Sequence, residues 1–211
     1  MMRIELEGIG KRFQYEWIFR KLSFHLGEGS KTAIVGSNGS GKSTLLRCLS
    51  GSQILTEGKL TYIFNGIEIS HDNIFKYLAI SAPYLELPEE FSLIELLKFH
   101  FKFKNIIPGM DLSEMMRVMY LEEHQHKPIS IFSSGMKQRL KLGLCFFSDV
   151  PLLLLDEPTS NLDQKGVLWY LEMVDRFSEN KTLLVCSNDS REYAFCDTLL
   201  NIEDFKLKQK L

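Results

Sequence analysis

Residues 36–44 read GSNGSGKST, following the β-prone run KTAIV and opening the apolar helical pattern STLLRCLSG. The stretch matches G-x-x-x-x-G-K-[ST] at Gly36, Gly41, Lys42 and Ser43. Gly36, Gly39 and Gly41, spaced by Ser37, Asn38 and Ser40, let successive backbone N–H groups wrap an anion, and the helix opening at Ser43 and Thr44 adds its dipole. Lys42 supplies charge for the β and γ oxygens of a nucleoside triphosphate, and Ser43 offers an oxygen to Mg²⁺. An ordinary glycine turn would need neither the lysine nor the flanking strand and helix.

Kinases, GTPases and motors all use such a loop, so a second acidic site must discriminate among them. LLLLDEPTSNLD puts Asp156 and Glu157 at the end of a continuous apolar run, the pattern of a strand buried on both faces of a parallel sheet. Open α/β sheets place their ligand sites at that end. Asp156 then serves the magnesium shell, and Glu157 accepts a proton from the attacking water. An acidic pair ending a strand is often only a turn. Pro158 after it and the P-loop before it favour the functional reading.

These groups must be positioned by alternating β and α elements. MRIELEGI, KLSFHL and KTAIVG read as short strands, and Asn65-Gly66 in KLTYIFNGIEI signals a hairpin. Ser92-Leu-Ile-Glu95 and Asp111-Leu-Ser-Glu114 announce the helices SLIELLKFHFKF and LSEMMRVMYL. After PLLLLD come helix NLDQKGVLWYLEMVDRF, strand KTLLVCS, helix DSREYAFC and strand DTLLNI. The expected fold is α/β: a largely parallel P-loop NTPase-type sheet with flanking helices, an N-terminal antiparallel β part and an inserted helical lobe. A single domain spans 1–211, with 1–83 and about 149–211 as the body and about 84–148 as the lobe.

Apolar residues make up 45% and charged residues 25%, the balance of a soluble globular chain, and a net charge of −2 offers no basic field for nucleic acid. The start lacks the apolar core of a signal peptide, and no apolar run reaches the length of a membrane span. Cys48, Cys145, Cys186 and Cys196 are scattered without a C-x-x-C pair and read as reduced thiols. Lys206, Lys208 and Lys210 alternate as the wet face of a terminal edge strand would.

A third stretch, IFSSGMKQRLKLGLCFF, sets Ser133, Ser134 and Gly135 before a strongly helical run. Ser133 is a natural helix cap. A helix N-terminus with a serine hydroxyl and open backbone N–H groups is also an anion site, distinct from the P-loop.

GSNGSGKST, FSSGMKQR and LLLLDEPTSNLD occur in the order and approximate spacing of one family. The chain resembles the ATP-binding subunit of ABC transporters over essentially its whole length. FSSGM stands where the family usually has LSGGQ, and Ser133 and Gly135 keep the positions that touch a γ-phosphate there. The resemblance implies head-to-tail packing of two such subunits, as a homodimer or heterodimer, with each P-loop facing the partner's signature and ATP within the interface. It also implies transmembrane permease subunits on separate chains, and a cytoplasmic position on the inner face of the membrane. Phe13 best matches the aromatic that stacks on adenine, with Tyr15 and Trp17 as rivals, and Asp163 in SNLD matches an interface residue.

Two departures stand out. The family's glutamine at the junction into the lobe, which senses Mg²⁺ and the transport partner, aligns with Tyr84. Its switch histidine after the last core strand aligns with Asn188. A phenol lacks an amide's paired donor and acceptor, and an asparagine cannot relay a proton. The leading expectation is a Mg²⁺-dependent, transport-coupled ATPase. An ATP-binding switch with little hydrolysis, and a non-transport ATPase acting on nucleic acid or ribosomes, are the alternatives.

Overall fold

A computed structural model describes residues 1–206 of the 211. Strands β1 (Met2–Phe13), β2 (Glu16–Leu26), β3 (Lys31–Val35), β4 (Glu57–Phe64), β5 (Ile67–Ile69), β6 (Leu78–Ser81), β7 (Leu152–Asp156), β8 (Thr182–Cys186) and β9 (Thr198–Asn201) form two sheets. Helix α1 (Lys42–Leu49) follows the P-loop; α2 (Leu93–His100), α3 (Leu112–Val118) and α4 (Ser134–Phe146) separate β6 from β7, and α5 (Gln164–Phe177) joins β7 to β8.

The first sheet is antiparallel in the order β2-β1-β4-β5, and the second is parallel in the order β6-β7-β8-β3-β9. Alternation along the central strands divides the core. Leu153, Leu155, Leu183 and Val185 join the apolar cluster of α2 to α5, whereas Leu152, Leu154, Leu184 and Cys186 join that of α1 and the antiparallel sheet. Every residue of β7 and β8 is buried, which explains their uninterrupted apolar runs. Burying each such leucine contributes about 1.5–3 kcal/mol.

The local signals act as their chemistry predicts. Asn65 and Gly66 take positive φ values of 51° and 79°, closing the β4–β5 hairpin with Phe64 opposite Ile67. Glu95 accepts from the Ser92 N–H, and Asp111 caps α3 by accepting from the Glu114 N–H. Cys48, Cys145 and Cys186 are buried free thiols.

Three expectations need correction. The first two strands are long rather than short, because register shifts between Leu6 and Arg12 let β1 bend and continue along β2. DSREYAFC forms only a short 3₁₀ turn over Ser190–Glu192, because Asp189 draws the Arg191 N–H and guanidinium back onto itself and the Glu192 carboxylate bonds to Thr159. Lys206 follows a 3₁₀ turn over Ile202–Phe205 rather than lying in a strand. Lys208 and Lys210 lie outside the described residues.

Candidate functional site

Strands β7, β8 and β3 are adjacent and parallel, with Asp156 level with Cys186 and Cys186 level with Ile34. Their C-terminal ends therefore bring the P-loop, Asp156, Glu157 and Asn188 to one edge of the sheet. Gly41 enters α1 at φ 109°, and a Cβ there would stand 2.4 Å from Ile18 Cγ2, so only glycine fits this position. Ser43 and Thr44 occupy the first turn of α1, with Gly39 and Ser40 just before it. The Ser40 hydroxyl is buried without a hydrogen-bond partner.

Lys42 is 5% exposed, and its ammonium donates to Gly36 O at 2.8 Å, Ser37 O at 3.2 Å and Asn188 Oδ1 at 2.8 Å. Asn188 in turn donates through Nδ2 to Asn38 Oδ1, bridging β8 to the P-loop. Ser37 donates through its N–H and hydroxyl to Glu203, whose pKa these bonds hold below the usual range.

Asp156 is 1% exposed, and neither carboxylate oxygen has a hydrogen-bond partner. Burial pushes its pKa up; the nearby Ser43 hydroxyl opposes that shift, and the Glu157 charge reinforces it. A buried carboxylate without a partner is costly, and a cation is the group that satisfies it. Ser43 beside it supplies a second hard oxygen, so the donor set fits Mg²⁺ with phosphate oxygens completing the shell.

Glu157 is exposed and takes φ +44°. A non-glycine residue in that region costs of order 1–3 kcal/mol and persists only where its surroundings enforce it. Glu157 N–H donates to Cys186 O at 2.8 Å, and Ser160 N–H donates to Glu157 O at 3.0 Å. Gln138 Nε2, from α4, donates to Pro158 O at 2.7 Å.

Tyr84 lies close to this edge. Its hydroxyl is buried without a partner, and the Arg47 guanidinium lies 3.9 Å from its ring centroid. Burial raises the phenol pKa, against the lowering effect of Arg47 and with a further rise from Asp156. Arg47, Gln138 and Glu192 were not singled out in the sequence. Arg47 and Gln138 sit within ordinary helical patterns, and Glu192 falls in a misread helix.

Ser133 and Gly135 border a different cavity, of about 400 Å³, with Arg139, Asn161 and Asp163. Ser133 caps α4, its Oγ accepting from the Met136 N–H at 3.2 Å, while a Cβ on Gly135 would meet Asn161 O at 3.3 Å. Asp163 caps α5 by accepting from the Gly166 N–H at 2.8 Å. Phe13 is 45% exposed beside the β1–β2 turn, with Lys11 Nζ 4.8 Å from its ring, and it is Ile18 of this hairpin that abuts the P-loop.

Among the described residues no helix is long and apolar enough to cross a membrane. Residues 19–160 match the sequence model of the ABC transporter family. An uncharacterized ABC transporter ATP-binding protein of Bacillus subtilis, YybJ, is 30% identical over 208 residues, 97% of this chain and 94% of that one. The lantibiotic transport ATP-binding protein SrtF of Streptococcus pyogenes is 29% identical over 191 residues, 88% and 80% of the two chains. Among solved structures, a dimeric ATP-binding cassette bound to ADP and Pi in a post-hydrolysis state superposes with a TM-score of 0.82 at 20% identity, covering 98% of this chain and 97% of that one. A P-loop, a buried aspartate followed by a glutamate and a capped signature helix on this fold thus coincide with the family match: the chain belongs to the ABC transporter family, as an ATP-binding subunit.

Proposed function

We propose that this subunit hydrolyses ATP in a Mg²⁺-dependent reaction completed by a second ATP-binding subunit, and that closure and opening of the pair drive separate permease chains. The observation carrying the reading is the division of the site. Lys42, Asp156, Glu157 and Asn188 gather at one sheet edge, whereas Ser133 and Gly135 border another cavity with Arg139 and Asn161; only the rim at Leu162 and Asp163 is common to both cavities. A γ-phosphate site needing both sets is assembled head to tail between two molecules.

Within one molecule Lys42 and the P-loop N–H groups hold the β and γ phosphates, and Gly39, Ser40, Gly41, Ser43 and Thr44 shape that cradle. Asp156 and Ser43 would hold Mg²⁺, which when bound would supply positive charge against that developing on the phosphates; Tyr84 stands beside them with a free hydroxyl. Glu157 orients the attacking water and accepts its proton. Asn188 donates an N–H of Nδ2, whose other hydrogen faces Asn38, to the γ-phosphate, while its Oδ1 accepts from Lys42. Phe13 stacks on the adenine. The partner's Ser133 hydroxyl and α4 N-terminus complete the phosphate shell.

A slower, switch-like ATPase is favoured by one observation: Asn188, which cannot relay a proton, engages Lys42 directly. Phosphate release by the purified chain with Mg²⁺-ATP, using Glu157→Gln as the blank, tests the enzymatic reading. Release above that blank is expected. Equal rates would reduce the isolated subunit to a nucleotide-binding switch.

A further inference from the structure

We propose that Glu192 is a positioning residue for ATP hydrolysis: its buried carboxylate, acting opposite Gln138, clamps the turn that carries Glu157. The proposal rests on Glu157 being the base that handles the attacking water.

Glu192 is 3% exposed and lies on the 3₁₀ turn after β8, far in sequence from the residues it holds. Its Oε1 accepts from the Thr159 N–H at 2.8 Å and from the Thr159 hydroxyl. Thr159 is two residues beyond Glu157. From the other side Gln138, also 3% exposed, donates to Pro158 O at 2.7 Å. The turn is gripped by α4 on one flank and by the segment after β8 on the other.

Glu192 is itself fixed. Its N–H donates to Asp189 O at 3.0 Å, and its carbonyl accepts from the hydroxyl of Tyr170, a fully buried residue of α5. Signature helix α4 thus reaches the turn directly, helix α5 supports it through Glu192, and the turn holds Glu157 at a left-handed φ.

Holding a turn would not by itself call for a carboxylate. A neutral acceptor would satisfy Thr159 without burying a charge whose second oxygen, Oε2, has no partner. What the carboxylate adds is strength, because charge-assisted bonds are about twice as strong as neutral ones and resist relaxation of the strained residue. The clamp matters to chemistry because Glu192 and Glu157 border the same cavity, of about 580 Å³, together with Asn188. Released from Thr159, the turn relaxes and the Glu157 carboxylate leaves the position from which it takes the attacking water's proton. A misplacement of about 1 Å can cost roughly 10²-fold in rate.

The test is phosphate release and ATP affinity of the purified chain bearing Glu192→Ala, Glu192→Gln, Thr159→Ala or the Glu192→Ala/Thr159→Ala pair. Glu192→Ala is expected to lower kcat by about 30- to 100-fold while the Kd for ATP stays within about twofold. Glu192→Gln keeps an oxygen for Thr159 and loses only the strength the charge adds, so turnover is expected to fall by no more than about fivefold. Thr159→Ala removes one of the two bonds and lies between, and the pair is no slower than Glu192→Ala alone. A purely structural role would lower Tm and leave kcat of the folded protein unchanged. The proposal is overturned by wild-type kcat in Glu192→Ala, or by Glu192→Gln being as slow as Glu192→Ala. If Glu192→Ala does not fold, wild-type turnover in Thr159→Ala overturns it. Glu157→Gln run in parallel separates the two ideas: if that variant still hydrolyses ATP at the wild-type rate, the role given to Glu157 has failed, whatever Glu192 does.

Discussion

Lys42 Nζ donates to Asn188 Oδ1 at 2.8 Å, tying the P-loop to the residue that follows β8. With Gly36 O and Ser37 O, this bond engages every N–H of the ammonium. A γ-phosphate that recruits Lys42 must take over at least one of those bonds. On the role proposed for Lys42, the strength of the Asn188 contact therefore tunes nucleotide affinity.

Asn188→Asp converts the contact into an ion pair and faces the phosphates with a negative charge. The ion pair holds Lys42 more firmly than the present ammonium–amide bond and the new charge repels the phosphates, so the Kd for ATP is expected to rise about tenfold, as titration calorimetry would show. Asn188→His supplies a group that can relay a proton, and steady-state kcat should rise. A flat kcat would remove Asn188 from the account of slow turnover.

Asp156→Asn should stabilise the protein while damaging its chemistry. The native carboxylate is buried with both oxygens unpartnered, so removing its charge relieves a desolvation cost. Scanning calorimetry without nucleotide or metal should find Tm raised by several degrees, each kcal/mol being worth about 2–4 °C in a chain of this size. Mg²⁺-ATP should then stabilise the variant less than the wild type. A lowered Tm would contradict this reading of Asp156.

His100, on α2, bonds through Nε2 to Ser148 Oγ, and its pKa is lowered to about 4 by burial, with Lys104 adding to the shift. The folded state thus binds fewer protons than the unfolded state between about pH 6.5 and 4, and stability falls as pH drops through that window. The loss approaches roughly 3 kcal/mol at its acid end. Urea unfolding of His100→Gln should show a flatter pH dependence there. An unchanged slope would mean that other groups dominate acid unfolding.

Much of this site was legible in the sequence because its signals are local. A P-loop needs its glycines and lysine within a few residues, and LLLLDE records a strand covered on both faces. The supports were not legible, because their partners are set by tertiary packing. Gln138 reads as one more polar helix residue until α4 lies against Pro158, and Arg47 as a surface charge until Tyr84 lies beneath it. Glu192 was hidden by a helical reading of DSREYAFC. The Asp189–Arg191 contact and the reach to Thr159 override that propensity.

Ser133 carries the central claim, since its hydroxyl both caps α4 and, in the proposed assembly, meets the partner's γ-phosphate. The most direct measurement is the mass of the Glu157→Gln protein by static light scattering, with and without Mg²⁺-ATP, beside the same protein carrying Ser133→Glu. The account predicts that ATP doubles the mass of the first and leaves the second monomeric, although its single-chain ATP affinity stays within about twofold. Two monomers with ATP bound, or equal doubling in both proteins, would contradict a site completed by a second molecule.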